Sequence, residues 1–149
     1  MRSLQYIDSE GELARYPEAL ASRKALNEWW SESVEKISKS STWLSVEVQH
    51  EVNLFQDYIV NLYKYTNIAS DEQLMEIGQL VRQDFIDFSA SIEKKAFEYF
   101  RKDLHQLTLN DLKEWHKYSK DETIKRLEAT ALHTRSSQLR EIFEDGLTN

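Results

Sequence analysis

The sequence predicts an all-α fold, an antiparallel helical bundle with two or three long helices. Three observations carry this reading. The 149 residues contain only 3 Gly and 1 Pro, whereas a β-sandwich or barrel needs turn formers every ~8–12 residues. Apolar residues recur at steps of three and four along most of the chain, which is the helical period. Helix-start signatures fall between those stripes, most clearly Ser70-Asp71-Glu72-Gln73. There the serine hydroxyl can accept the third backbone N–H, and Gln73 can reach back to the serine. The length suits a single domain, 1–149, with one hydrophobic core.

Residues 1–15 are polar and include Asp8-Ser9-Glu10-Gly11; they read as a loose N-terminal arm. Pro17 suits the first position of a helix, where its missing N–H would be unpaired anyway. A first helix over about 17–39 then places Leu26, Trp30, Val34 and Ile37 on one face. Ser40-Ser41-Thr42 interrupts it and can cap a second helix over about 43–66. The second helix carries Leu44, Val48, Val52, Phe55, Ile59 and Leu62 at near coiled-coil spacing. No Lys or Arg occurs from Ser40 through Tyr63.

The third helix opens at the Ser70 cap and runs from 71 to about 104. Its stripe is Leu74, Ile77, Val81, Phe85, Phe88, Ile92, Ala96 and Phe100. Gly78 lies inside it; an interior glycine costs about 1 kcal/mol against alanine, so close packing is the expected reason for it. Thr108 can cap a short helix over Leu109–Tyr118. Ser119-Lys120-Asp121-Glu122 opens a final helix carrying Ile124, Leu127, Ala131, Leu139, Ile142 and Phe143, with Gly146 placed to end it.

Composition narrows the function. The chain has no Cys, which removes disulfides, thiol nucleophiles and zinc–thiolate sites. Lys and Arg number 19 against 26 Asp and Glu, a net charge of −7. Duplex-nucleic-acid binders usually carry the opposite surplus, so no nucleic-acid partner is expected. The opening Met1-Arg2-Ser3-Leu4-Gln5-Tyr6 has no apolar signal-peptide core. No stretch approaches the ~18 apolar residues of a membrane span. A cytoplasmic protein without a membrane partner is the expectation.

Enzyme motifs are sparse. Glu47-x-x-His50 occurs once, whereas a di-iron bundle uses that motif twice. His50-Glu51 is followed at the required position by Leu54 rather than His, so a zinc-protease helix is not formed. Gly-rich phosphate loops and Gly-x-Ser-x-Gly elbows do not occur. Acidic pairs such as Asp84 with Asp87, or Glu141 with Glu144 and Asp145, read as solvated helix faces. Two basic stretches, Lys94-Lys95 with Arg101-Lys102 and the Lys113–Arg126 region beside Trp115, interleave with acids and read as salt-bridged surface. No catalytic residue, metal ligand or cofactor site is assigned.

The aromatic residues, 4 Trp, 7 Tyr and 6 Phe, are more informative. Trp29 and Trp30 are adjacent and can hardly face one core. The second helix has apolar residues off its stripe, among them Val46, Leu54, Tyr58 and Tyr65. Either that helix lies centrally in the bundle or it offers a second face to a partner. Trp29, Trp30, Leu54, Tyr58, Tyr65, Phe97 and Phe100 are the candidate partner-binding residues, since Tyr and Trp are favoured interface anchors. A third helix of roughly 50 Å would overhang a globule with a radius of gyration near ~15 Å. Phe97, Phe100 and Leu104 then need cover, from a second copy in a homodimer or from the later helices folding back.

The run Val81-Arg82-Gln83-Asp84-Phe85-Ile86-Asp87-Phe88-Ser89-Ala90-Ser91-Ile92-Glu93 resembles a segment of the YbeL-like zinc-ribbon-containing bacterial proteins. Ser70, Asp71 and Glu72 stand where that family has its helix cap and acidic first turn. Arg140-Glu141-Ile142-Phe143-Glu144-Asp145 is similar to the close of the family's helical part. The family's ribbon needs four cysteines and this chain has none, so no metal follows from the resemblance. It implies a helical, cytoplasmic bacterial protein. The function expected from all of this is a non-enzymatic protein-interaction module, an adaptor, inhibitor or assembly factor. The alternatives are an acidic immunity protein or nucleic-acid mimic, and a metal-dependent helical enzyme using Glu47 and His50.

Overall fold

The computed structural model describes residues 16–40, 44–103 and 120–145. Among them are six α-helices and no strand, an all-α bundle: α1 (Arg23–Ser40), α2 (Val46–Thr66), α3 (Asp71–Asp103), α4 (Lys120–Glu128), α5 (Ala131–Thr134) and α6 (Ser136–Asp145). The arm over 1–15, the short helix over 109–118 and the Gly146 stop lie outside the described residues.

The starts of the first two helices differ from expectation, each for a local reason. The helix anticipated over 17–39 is split. A 3-10 turn occupies Glu18–Leu20 after Pro17, and α1 starts only at Arg23. Ser22 is the start signal, because its hydroxyl accepts the Ala25 N–H at 3.1 Å and relieves one unpaired donor of the first turn. The early turn has a different task, which is to pack on α3. A Cβ on Gly78 would meet the Tyr16 Cβ at 2.7 Å and the Leu20 Cβ at 3.2 Å. Close packing is therefore what the interior glycine permits. The cap of α2 is Ser45 rather than the Ser40–Thr42 run: its hydroxyl accepts from the Val48 N–H at 3.3 Å.

The α2–α3 hairpin is the frame. Ser70 and Gln73 form the reciprocal capping box, with the Gln73 N–H on the Ser70 hydroxyl at 3.2 Å and the Ser70 N–H on the Gln73 side chain at 2.9 Å. Arg23 clamps the hairpin turn from α1. Its backbone N–H reaches Asp71 at 2.9 Å, and its guanidinium donates to the Asn67 and Ala69 carbonyls at the end of α2. Cations suit that end of a helix.

The core lies between α1, α2 and α3. Val48, Val52, Phe55, Ile59 and Leu62 of the α2 stripe are buried, as are Leu74, Ile77, Val81, Phe85, Phe88 and Ile92 of α3. Aromatic rings form its centre. Trp29 meets Phe55 edge-on at 5.9 Å, Phe55 meets Phe85 edge-on at 5.7 Å, and Tyr58 lies 5.0 Å from Phe88. Such geometries are favoured over face-to-face stacking. Helix α3 keeps its phase to Ile92, but Phe100 is 65 % exposed while Tyr99 packs on the core. The stripe thus shifts by one residue over the last turns.

The final helix, expected to be continuous, is broken into α4, α5 and α6. Thr130 ends α4 by donating its hydroxyl to the Leu127 carbonyl at 2.6 Å. Among the described residues no helix is long and apolar enough to cross a membrane.

Candidate functional site

Two kinds of site emerge, a buried polar seam and exposed apolar surface. The seam joins the α2–α3 hairpin to the C-terminal segment α4–α6. Glu51 of α2 is buried and accepts two hydrogen bonds from Arg126 of α4, both at 2.7 Å. Ser91 of α3 donates to the same carboxylate at 2.7 Å. Burial pushes the Glu51 carboxyl up, but the Arg126 and Ser91 hydrogen bonds and the guanidinium charge outweigh it, and the carboxyl stands below its usual value. The Glu51 hydrogen bonds hold Arg126 more firmly protonated against a smaller desolvation effect.

Seven residues before Ser91, Asp84 of α3 is buried as well. Its two oxygens accept the Ala131 N–H at 2.6 Å, the Leu132 N–H at 2.9 Å and the Tyr58 hydroxyl at 2.9 Å. It supplies, from another helix, the cap that Thr130 does not give the first turn of α5. Burial pushes the Asp84 carboxyl up, and its three donors pull it down only in part, so it stays above its usual value. Sequence reasoning took Asp84 for solvated charge and gave Glu51 no role beyond the incomplete His50-Glu51 zinc motif. The signal was present in the pattern. Asp84 lies three residues after Val81 and four before Phe88, inside the buried stripe, and Glu51 shares a face with Leu54 and Tyr58. A carboxylate inside an apolar stripe needs donors from elsewhere.

The candidate partner residues divide. Trp29, Leu54 and Tyr58 are core residues, at 8 %, 1 % and 0 % exposure, so they pack the bundle and present no surface. Helix α2 packs chiefly on α3 and also meets α4 and α6, and its second apolar face is buried in the bundle. Tyr65 is half-buried beside Leu132 and His133 at a cleft of about 220 Å³ under the C-terminal segment. Phe97 and Phe100 stand exposed near the end of α3. Trp30 is half-buried at a groove of about 270 Å³ between α1 and α2, lined by Leu26, Asn27, Trp30, Ile59, Val60 and Tyr63. Val60 and Tyr63 were not among the candidates, yet they are 59 % and 51 % exposed there.

Glu47 is half-buried and His50 is buried. Burial lowers the His50 pKa, with Arg126 adding to that effect and Glu51 and Glu122 opposing it. Among the described residues no three His, Asp or Glu side chains gather as a metal-holding group. Of the first basic stretch, Lys95 pairs with Glu98 at 3.6 Å. Lys113 and Trp115 of the second lie outside the described residues, while Arg126 is engaged in the Glu51 pair. No family model, curated protein or solved structure matches the chain.

Proposed function

We propose that the chain is a non-enzymatic interaction module of the bacterial cytoplasm, an adaptor, inhibitor or assembly factor. It seats an apolar segment of a protein partner in the groove between α1 and α2. One observation carries the reading. Trp30, Val60 and Tyr63 converge on a groove whose six lining residues include no charge, on a chain of net charge −7. Interface centres are depleted in charge and anchored by Trp and Tyr. Val60 and Tyr63 are more than half exposed, so the monomer's core does not account for their apolar character.

The test is a pair of variants, Val60→Asp and Tyr63→Ser, compared with the native chain by capture from bacterial lysate. Both sites are exposed, so stability should change by no more than about 0.5 kcal/mol. A partner that the native chain and a Lys36→Ala control retain, and that both groove variants lose, supports the reading. Equal retention by all four chains overturns it.

A further inference from the structure

The contact between the α2–α3 hairpin and α4–α6 is built unlike a core. Helix α4 buries no residue, and α5 buries only Leu132. Leu139 is the buried apolar residue among the described side chains of α6, with Ile142 partly covered. Clefts follow the contact along its length. One of about 220 Å³ lies between Tyr58 and Leu132, one of about 250 Å³ between Phe88 and Thr130, and one of about 630 Å³ between Leu80 and Ile142. These clefts open to solvent, so water reaches the edges of the contact. Besides Leu132 and Leu139, which join the core, polar ties hold the segment: Arg126 on Glu51, the Ala131 and Leu132 N–H groups on Asp84, and the Gln73 amide on the Ile142 carbonyl at 2.6 Å.

The hairpin arranges its half of these ties by itself. Ser91 holds the Glu51 carboxylate, and Tyr58 holds that of Asp84. Both donors belong to α2 or α3. The two carboxylates are thus oriented before any third segment arrives, as preorganised recognition requires. The surface they make reads a particular ligand: a guanidinium for Glu51, then a helix start for Asp84, then leucines for the apolar strip. The chain's own segment supplies Arg126, Ala131, Leu132 and Leu139 in that order.

We propose that this face of the hairpin is a helix-docking surface which the C-terminal segment occupies in cis as a releasable strap. A partner helix of the same chemistry displaces the strap: an arginine, a leucine six residues on at the helix start, and a second leucine seven residues further. The surface shares no lining residue with the α1–α2 groove, so this inference stands or falls apart from that reading.

The experiment uses the full chain and a dye-labelled synthetic peptide of residues 120–145, read by fluorescence anisotropy. In the Arg126→Ala chain the strap is loosened while Glu51, Ser91, Asp84 and Tyr58 are untouched. That chain should bind the native-sequence peptide about tenfold or more tighter than the native chain does, given what a charge-assisted tie contributes. A peptide with its own Arg126→Ala change should lose about the same factor. Equal binding by both chains, or binding indifferent to the peptide's arginine, overturns the proposal. Hydrogen exchange on the native chain tests it without any substitution. Amides of 132–142 should exchange about tenfold or more faster than those of 77–88, as a separately opening unit does. Equal protection of the two segments overturns the proposal as well.

Discussion

Between α1, α2 and α3 the contacts are rings on rings. Trp29, Phe55, Tyr58, Phe85 and Phe88 meet at centroid distances of 5.0–6.2 Å, and Phe85 has no exposed surface. Between the hairpin and α4–α6 the contacts are carboxylates on donors beside two buried leucines, Leu132 and Leu139, with clefts next to them. The first region gains stability from area removed from water and from shape. The second gains it from charge-assisted hydrogen bonds, each of which is strong only while both partners stay in place. One side of α2 therefore belongs to a layer that opens only with the whole protein, and another side belongs to a seam that can open alone.

Substitution in the ring layer should have the largest effect. Phe85→Ala removes a fully buried ring that touches Trp29, Phe55 and Tyr58. The loss should be about 3–5 kcal/mol in urea unfolding, a large part of the ~5–15 kcal/mol of a typical domain. All amides, those of α6 included, should lose protection together. A loss confined to the α4–α6 amides would break the comparison, because it would put Phe85 in the seam.

Glu51→Ala should come next, at about 2–3 kcal/mol, since it leaves Arg126 and Ser91 without their shared acceptor. Arg126 is one-third exposed and can turn to water, which keeps the loss below that of a fully buried pair. The effect should appear first as faster exchange over 120–142, with α3 little changed. Uniform loss across α1–α3 would show that the seam is not a separate unit.

Gly78→Ala should lose about 1–2 kcal/mol, despite a gain of up to ~1 kcal/mol in helix propensity. The new methyl would meet the Cβ atoms of Tyr16 and Leu20, which move only with their backbone. Urea unfolding gives the sign, and a gain in stability would mean that the 16–20 turn lifts freely from α3.

How much of this was legible in the sequence follows the same division. Most of the layer was, because its residues obey the helical period: Val48 to Leu62 of the α2 stripe and the α3 stripe up to Ile92 are buried as the spacing requires, whereas Trp29 and Tyr58, off their stripes, read as partner-binding residues. The Ser70–Gln73 box and the packing reason for Gly78 were legible too, because each rests on neighbours in sequence or on a single local exception. The seam was not. Arg126 is 75 residues from Glu51, and Ala131 is 47 from Asp84, so no local pattern links them. The break at Ala129–Thr130 was missed for the same reason, since part of what caps α5 comes from α3. The groove was half legible. Trp30 stood out beside Trp29 and Tyr63 beside Leu62, whereas nothing in the spacing singled out Val60.

The pH dependence separates the two seam carboxylates by sign. Glu51 is held below its ordinary value of 4.5. Its contribution is therefore full above that pH and is lost as pH falls through the lower folded value. Asp84 is held above its ordinary value of 3.8. Its contribution is full below that pH and is lost as pH rises through the folded value. On acidification, protonation of Glu51 should lower protection of the 120–142 amides, while protonation of Asp84 should act in the opposite direction. A Glu51→Gln chain should lose the part of the acid fall that Glu51 causes, and an Asp84→Asn chain should fall more steeply than the native one. Exchange rates corrected for intrinsic pH dependence measure both, and an Asp84→Asn chain with a shallower fall would refute the Asp84 assignment.

The smallest expected effect lies outside both regions. Phe97 and Phe100 are three residues apart on one face of α3, exposed by 69 % and 65 %. Neither ring is part of the buried aromatic layer, and serine and phenylalanine have similar helix propensities. A Phe97→Ser, Phe100→Ser double variant should therefore keep its unfolding free energy within about 0.5 kcal/mol at micromolar protein. Protein concentration is the lever that gives this null result content. If the two rings were covered by a second copy, the native chain's melting temperature would rise with concentration by mass action, and the double variant's would not. Superimposed melts at low and high concentration for both chains would instead leave the rings as solvent-facing residues of a monomer. A loss above about 1 kcal/mol at low concentration would mean that the α3 end belongs to the packed layer after all.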